Sequence, residues 1–181
     1  MLRPRKVDFK MRYFFIISFS ILILSCSAHF QQIDLTNKPQ AKFDSQGKVL
    51  IATSQDGHYG TINYPGSGLM TSQSIIKAFA RHTKLAMTII CSTIDSCLNE
   101  AKKNGYSYLV YPEILHWEER ATEWSGKPDR IEIKVTLFTV DNGEIVHSAV
   151  LAGRSKWVTL KWDHPQDLLP GTVNTYTSAL Y

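Results

Sequence analysis

Cysteine is scarce in this 181-residue chain, which has three. Apolar runs of membrane-spanning length are missing too: the stretch Tyr13 to Leu24 holds 12 residues, where a spanning helix needs about 20. Histidines are scattered. His29, His58, His82, His116, His147 and His164 show no ligand spacing, and His116-Trp117-Glu118-Glu119 has no second histidine after it. The H-E-x-x-H arrangement, which sets two imidazoles on one helix face, is therefore not met, and neither a metal nor another cofactor is expected. A basic face is also lacking. Of the 20 basic and 16 acidic residues, five and one fall within the first 25 positions, so 15 of each remain. Neutralising phosphates takes clustered Lys and Arg, so no nucleic-acid partner is expected.

What is present at the start reads as an address. Arg3, Arg5, Lys6, Lys10 and Arg12, against the single acid Asp8, precede the apolar run. A cationic head, a short apolar middle and a small residue before a cut make a secretory signal peptide, here residues 1–25. Met11 is an alternative start, since MRYFFII is a sufficient head. Ile23-Leu24-Ser25-Cys26 resembles the bacterial lipobox, although Leu24 stands where a small residue is usual. That resemblance implies that Cys26 receives a diacylglycerol and becomes the acylated first residue of the mature chain. An ordinary signal peptide with an incidental cysteine, or an uncleaved anchor, are the alternatives. Ser27 occupies the place of the Asp in an inner-membrane retention signal, which implies the outer membrane with the protein facing the periplasm. Several acyl chains, at ~0.8 kcal/mol per buried CH₂, hold where one binds marginally.

Residues 26–46 then read as a lipidated N-terminus and flexible tether, spanning roughly 25 Å on average. Residues 47–181 suit one periplasmic domain with a single core. Lys48 to Ser54 predicts a buried strand, and Thr71 or Ser72 is expected to cap a helix with Ile75, Ile76 and Phe79 inward. AMTIIC predicts a strand and Thr93 to Lys103 a helix closed by Asn104-Gly105. YSYLVYPEILHW predicts a third strand, with Pro112 near an edge or bulge. In RIEIKVTLFTV, Ile131, Ile133, Val135 and Leu137 share one face, and Asp141-Asn142-Gly143 turns the chain into a second hairpin strand. A C-terminal helix follows, with Pro165 and Pro170 at first positions and Val173, Tyr176 and Leu180 inward. The order β-α-β-α-β-β-β-α is an α/β (α+β) class: a mixed sheet with helices packed on it. Subtracting Cys26 leaves Cys91 and Cys97, an even pair in an oxidising compartment. A disulfide requires Cys91 to end the strand and Cys97 to sit early in the helix, because six residues along one helix is too far; two buried thiols are the alternative.

The lipobox, "DGHYGTINYPGSG", "YLVYPEILHWEERATEWSGKPDRIEI" and "DNGEIV" together resemble a family of bacterial lipoproteins classed as domain of unknown function 4823. More loosely, the order of elements is similar to modules of the curli-secretion lipoprotein, the penicillin-binding-protein activator lipoprotein and the TolB N-terminal domain. The resemblance implies a non-enzymatic module that binds an envelope protein or assembles, with a homo-oligomeric ring as a further option.

Candidate chemistry is sparse. Ser67 in Gly66-Ser67-Gly68 fits neither a G-x-S-x-G elbow nor a phosphate loop; backbone N–H groups at that helix start could hold an anion or carboxylate. Glu113, Glu118, Glu119, Glu123 and Asp129 crowd one region, interleaved with Arg120, Lys127 and Arg130, which reads as a solvated, self-paired connection. Trp117 and Trp124 lie beside these charges, with Trp157 and Trp162 further on. Trp and Arg are enriched in binding hot spots; closing the open face of the sheet is the alternative role for the indoles. The expected binding surface is therefore the Tyr59–Gly68 loop and the Trp117–Asp129 excursion: Tyr59, Tyr64, Ser67, Trp117, Glu118, Arg120, Trp124 and Asp129. On this reading Trp117 and Trp124 can be truncated without loss of fold. The rival reading is an envelope hydrolase acting on cell-wall glycan or peptide through Glu118 or Ser67.

Overall fold

The computed structural model describes residues 28–36, 42–120, 127–155 and 164–181. The elements run β1 (His29–Asp34), β2 (Lys48–Ala52), β3 (His58–Tyr59), β4 (Ile62–Asn63), α1 (Ser67–Phe79), β5 (Leu85–Ile89) and α2 (Ile94–Lys103). Then come β6 (Tyr108–Glu118), β7 (Arg130–Thr139), β8 (Ile145–Arg154), a 3-10 turn (Pro165–Leu168) and α3 (Leu169–Leu180). The main sheet has the order β1-β8-β7-β6-β2-β5, and β3 and β4 form a separate small hairpin. β1, β8, β7 and β6 pair antiparallel, while β2 is parallel to both β6 and β5. The expected mixed sheet is present, and the expected order is found from β2 onward apart from the β3–β4 hairpin.

Strand alternation divides the interior in two. Val49 and Ile51 point with Val110, Ile131, Ile133, Val135 and Leu137 into a large core closed by α1 and α3. Leu50 and Ala52 point the other way, with Leu109 and Phe138, against Cys97 and Ala101 of α2. Successive strand side chains leave on opposite faces, so a strand covered on both sides is apolar throughout. The short run VLIA of β2 is that case. Val173, Tyr176 and Leu180 of α3 are buried as expected. Thr93 caps α2 through a reciprocal pair of bonds with Ser96, and Gly105 closes it with φ +67°, a left-handed conformation that favours glycine.

Three readings are corrected. The stretch expected to be a flexible tether contains β1, which pairs with β8 from His29↔Arg154 to Asp34↔Ala149. The ring of Phe30 lies so close to Gly171 of α3 that an added Cβ would stand 2.4 Å from its tip, so the ring sits over the helix where a side chain at 171 would displace it. The end of the same stretch is docked too: Phe43 is buried, and its N–H bonds the Leu180 carbonyl at 2.9 Å. Second, α1 begins at Ser67 behind Gly66, and Thr71 and Ser72 are buried inside the helix instead of capping it. The Ser72 hydroxyl bonds the Gly68 and Ala52 carbonyls. Third, β6 carries a bulge between Ile114 and His116. One extra residue reverses the inside–outside alternation beyond it, so that Trp117 falls on the core side.

Cys91 and Cys97 form a disulfide, with Cα atoms 5.5 Å apart. The bridge ties the strand end after β5 to the first turns of α2, as strand-then-helix geometry requires. Closing so short a loop restricts the unfolded chain by about 2 kcal/mol in the chain-entropy account. The double variant Cys91→Ala/Cys97→Ala is expected to lose about that much stability in urea unfolding. An unchanged midpoint would remove the bridge from the list of stabilising features.

Candidate functional site

The β3–β4 hairpin and the end of β6, far apart in sequence, meet at one end of the sheet. Gly57 is the contact point: a Cβ there would stand 2.7 Å from the Trp117 Cβ and 2.8 Å from Ile114, so the hairpin can approach only with glycine at this position. Tyr59 then lies edge-on to His116, ring centroids 5.2 Å apart. The Tyr59 hydroxyl accepts a 2.7 Å bond from the Arg120 guanidinium, and the Tyr64 hydroxyl accepts from the Glu119 N–H at 3.3 Å. The Tyr59–Gly68 loop is thus brought against residues 117–120 of the expected excursion; residues 121–126 of it lie outside the described residues.

Their side chains, however, are spent on one another. Trp117 is 2 % exposed and sits in the core, so its role as a surface contact is withdrawn. Glu118 is also 2 % exposed. Its carboxylate accepts from the Arg120 Nε and stands 3.1 Å from His116 Nε2. Burial pushes the Glu118 carboxyl up, yet hydrogen bonds from His116, Arg120 and Tyr59 together with the Arg120 charge outweigh it and hold it below its ordinary value. Asp129 is fully buried; it accepts from the Arg120 N–H at 2.6 Å, and its own N–H bonds the Ser155 hydroxyl at 2.9 Å. Of the acidic cluster, Glu113, Glu118, Glu119 and Asp129 are paired within the chain, but Glu118 and Asp129 are buried and not solvated; Glu123 lies outside the described residues. Further out, Lys134 reaches Glu113 at 2.7 Å and Arg130 reaches Glu132 at 2.8 Å.

Ser67 is fully buried. Its hydroxyl donates to the Tyr64 carbonyl at 2.7 Å and accepts from the Gly57 N–H at 2.8 Å. That leaves the hydroxyl committed to holding the loop. The helix start does hold a carboxylate, as the sequence allowed, and it is the chain's own: Asp56 accepts from the Gly66 N–H at 3.1 Å and from the Gly68 N–H at 2.8 Å. A negative group is favoured there by the unpaired N–H groups and the helix dipole. Sequence reasoning missed Asp56, which lies ten residues before the glycine it caps. It also missed His164, whose Nδ1 stands 2.6 Å from Glu119; that hydrogen bond raises the imidazole above its ordinary value. Cys26, Trp124, Trp157 and Trp162 lie outside the described residues. Among the described residues no three His, Cys, Asp or Glu groups gather as a metal site, and no helix is long and apolar enough to cross a membrane.

This geometry makes two predictions. Trp117→Ala should lower the stability of the purified protein by about 3–5 kcal/mol in denaturant unfolding, the cost of emptying a core tryptophan site; a loss under ~1 kcal/mol, typical of surface positions, would return the indole to the surface. Glu118→Gln should cost about 1–3 kcal/mol at neutral pH by leaving the donors around it poorly matched. Folding depresses this carboxyl, so its contribution is present above the unfolded value of 4.5 and lost as pH falls through the folded one. The gap between wild type and variant should accordingly close below pH 4.5.

The fold is similar to that of solved structures. The PelC dodecamer from Paraburkholderia phytofirmans is 14% identical, with 85% of this chain and 97% of that chain covered at a TM-score of 0.61. A variant of that dodecamer, with one leucine replaced by methionine, is 12% identical, with 84% and 98% covered at a TM-score of 0.63. At these identities the likeness establishes the fold alone. The LpoB C-terminal domain from Salmonella enterica is 18% identical over 62% of this chain and 87% of that one, and its TM-score of 0.41 is too low to carry an argument. No curated protein matches the sequence. A family profile matches residues 41–180, and the chain belongs to the family described as domain of unknown function (DUF4823).

Proposed function

We propose that this chain is a lipid-anchored lipoprotein of the bacterial outer membrane, facing the periplasm, which works by binding or assembling and not by catalysis. The anchor is supported by the lipobox-like Ile23-Leu24-Ser25-Cys26 after a short apolar run. The binding role rests on one observation, the two open edges of the sheet. All six residues of β1 are exposed, Ile33 at 58%. At the far edge, Met87 of β5 is 49% exposed and Ile90 just beyond it 88%. Among the described residues neither outer edge is paired.

Soluble proteins usually blunt such edges with charge, proline or a cover. Here apolar side chains decorate them. Two unlike edges of one sheet suit head-to-tail association between copies, which closes into a ring when the rotation permits, and an envelope partner can add a strand in the same way. The PelC structures, which share this fold, are dodecamers, and that supports the assembly form of the reading. The hydrolase reading loses its support: the Ser67 hydroxyl is fully engaged, and Glu118 is held ionised where a general acid needs a raised pKa.

Two measurements test the proposal. Cys26→Ala should no longer incorporate labelled palmitate in cells, and continued labelling would overturn the anchor. Ile33→Lys and Met87→Lys should fold with nearly unchanged stability, since both side chains are half exposed. Each should lose the oligomer or partner captured by in vivo cross-linking; if both retain every captured species, the edges are not the working surface.

A further inference from the structure

β1 starts at His29, three residues after Cys26. At most ~3.6 Å per residue, that link reaches about 11 Å. If it ends in acyl chains, the domain cannot stand off from the leaflet on a long tether. It must present a defined end to the headgroups. Strand pairing identifies that end: His29 lies beside Arg154, Arg154 beside Arg130, and Arg130 beside Glu118.

Paired residues on neighbouring strands share a face, so His29, Arg154 and Arg130 form a row of basic side chains across three strands, at the margin nearest the anchor. Arg154 is exposed, and Arg130 is half exposed with one guanidinium nitrogen on Glu132. Among the described residues, the acids at this end are Glu118, Glu119, Asp129, Glu132 and Asp167, of which Asp129 is fully buried and accepts from the Arg120 N–H. Glu118 is buried under Arg120 and His116; Glu119 is paired with His164; Glu132 is paired with Arg130; and Asp167 caps the His164 N–H. The opposite end carries the Asp141-Asn142-Gly143 turn, the length of β7 away, roughly 30 Å at ~3.4 Å per residue.

The geometry points to a membrane-facing end formed by the row His29–Arg154–Arg130, whose guanidinium groups bind phospholipid phosphates of the leaflet that holds the Cys26 acyl chains. This rests on the anchor proposed above. Arginine suits the role because its planar fork meets phosphate oxygens in pairs and stays charged.

The test uses the full acylated protein in vesicles of phosphatidylcholine, with or without phosphatidylglycerol, carrying a headgroup acceptor dye. With Cys26 acylated and Cys91 bridged to Cys97, an introduced cysteine is the one thiol left to label. Donors are placed at Gln31→Cys, near the row, and at Asp141→Cys, at the far turn; both positions are exposed. Energy transfer to the lipid dye should be several-fold stronger from position 31. Adding Arg130→Gln and Arg154→Gln should shrink that ratio on phosphatidylglycerol vesicles and leave the unfolding midpoint nearly unchanged. Equal transfer from both labels in a protein whose intact mass shows acylation would overturn this orientation alone. A mass showing a bare Cys26 would overturn the orientation and the anchor together. A ratio untouched by the arginine substitutions would remove the phosphate contact.

Discussion

Burial of both faces of the central strands is the constraint around which this chain is arranged. β2, only five residues long, lies between β6 and β5 and has a helix-covered core on either side. A parallel strand in that position needs apolar residues at nearly every place, and Val49, Leu50, Ile51 and Ala52 supply them. Its partner β6 then sets the register for β7 and β8 on the far side. From Phe79 to Tyr176, what packs above the sheet follows from where β2 places its side chains.

The polar cluster at the sheet end is best understood as the closure of that arrangement. The bulge in β6 turns Trp117 inward and leaves Glu118 buried beside it. A buried carboxylate is costly unless charge and hydrogen bonds compensate it, and Arg120, His116 and Tyr59 do so. Tyr59 belongs to the β3–β4 hairpin, so satisfying one carboxylate also fastens the hairpin to the sheet. Ser67 and Asp56 fasten its other side to the start of α1. Residues that look chemically suggestive in sequence here serve to lock a loop.

Much of this was legible beforehand, and the exceptions have physical causes. β7 and the second hairpin strand announce themselves because one face alternates cleanly into the core, and Thr93 announces a helix start because its side chain acts within four residues. The spacing of Cys91 and Cys97 left two states open, and the observed bridge follows the strand-to-helix condition. β1 was hidden because HFQQID is exposed along its whole length; with neither face fully buried there is no alternation to detect. Trp117 was misjudged because a bulge changes the parity of a strand without leaving a mark in composition. Asp56 and His164 act on residues that only the folded chain brings near, across 12 and 45 positions.

The position of β1 has a mechanical consequence. A pull on the chain just before His29, directed out from that end of the sheet, runs along the strand axis. It does not peel the strand sideways. The six residue pairs between β1 and β8 would then resist together in shear, with the Phe30 ring lying close over Gly171 of α3. A strand loaded at its corner would unzip bond by bond; one loaded end-on yields only when the whole ladder slips. An outermost strand that looks like the least secured part of the sheet is therefore oriented to carry tension from whatever holds the amino terminus.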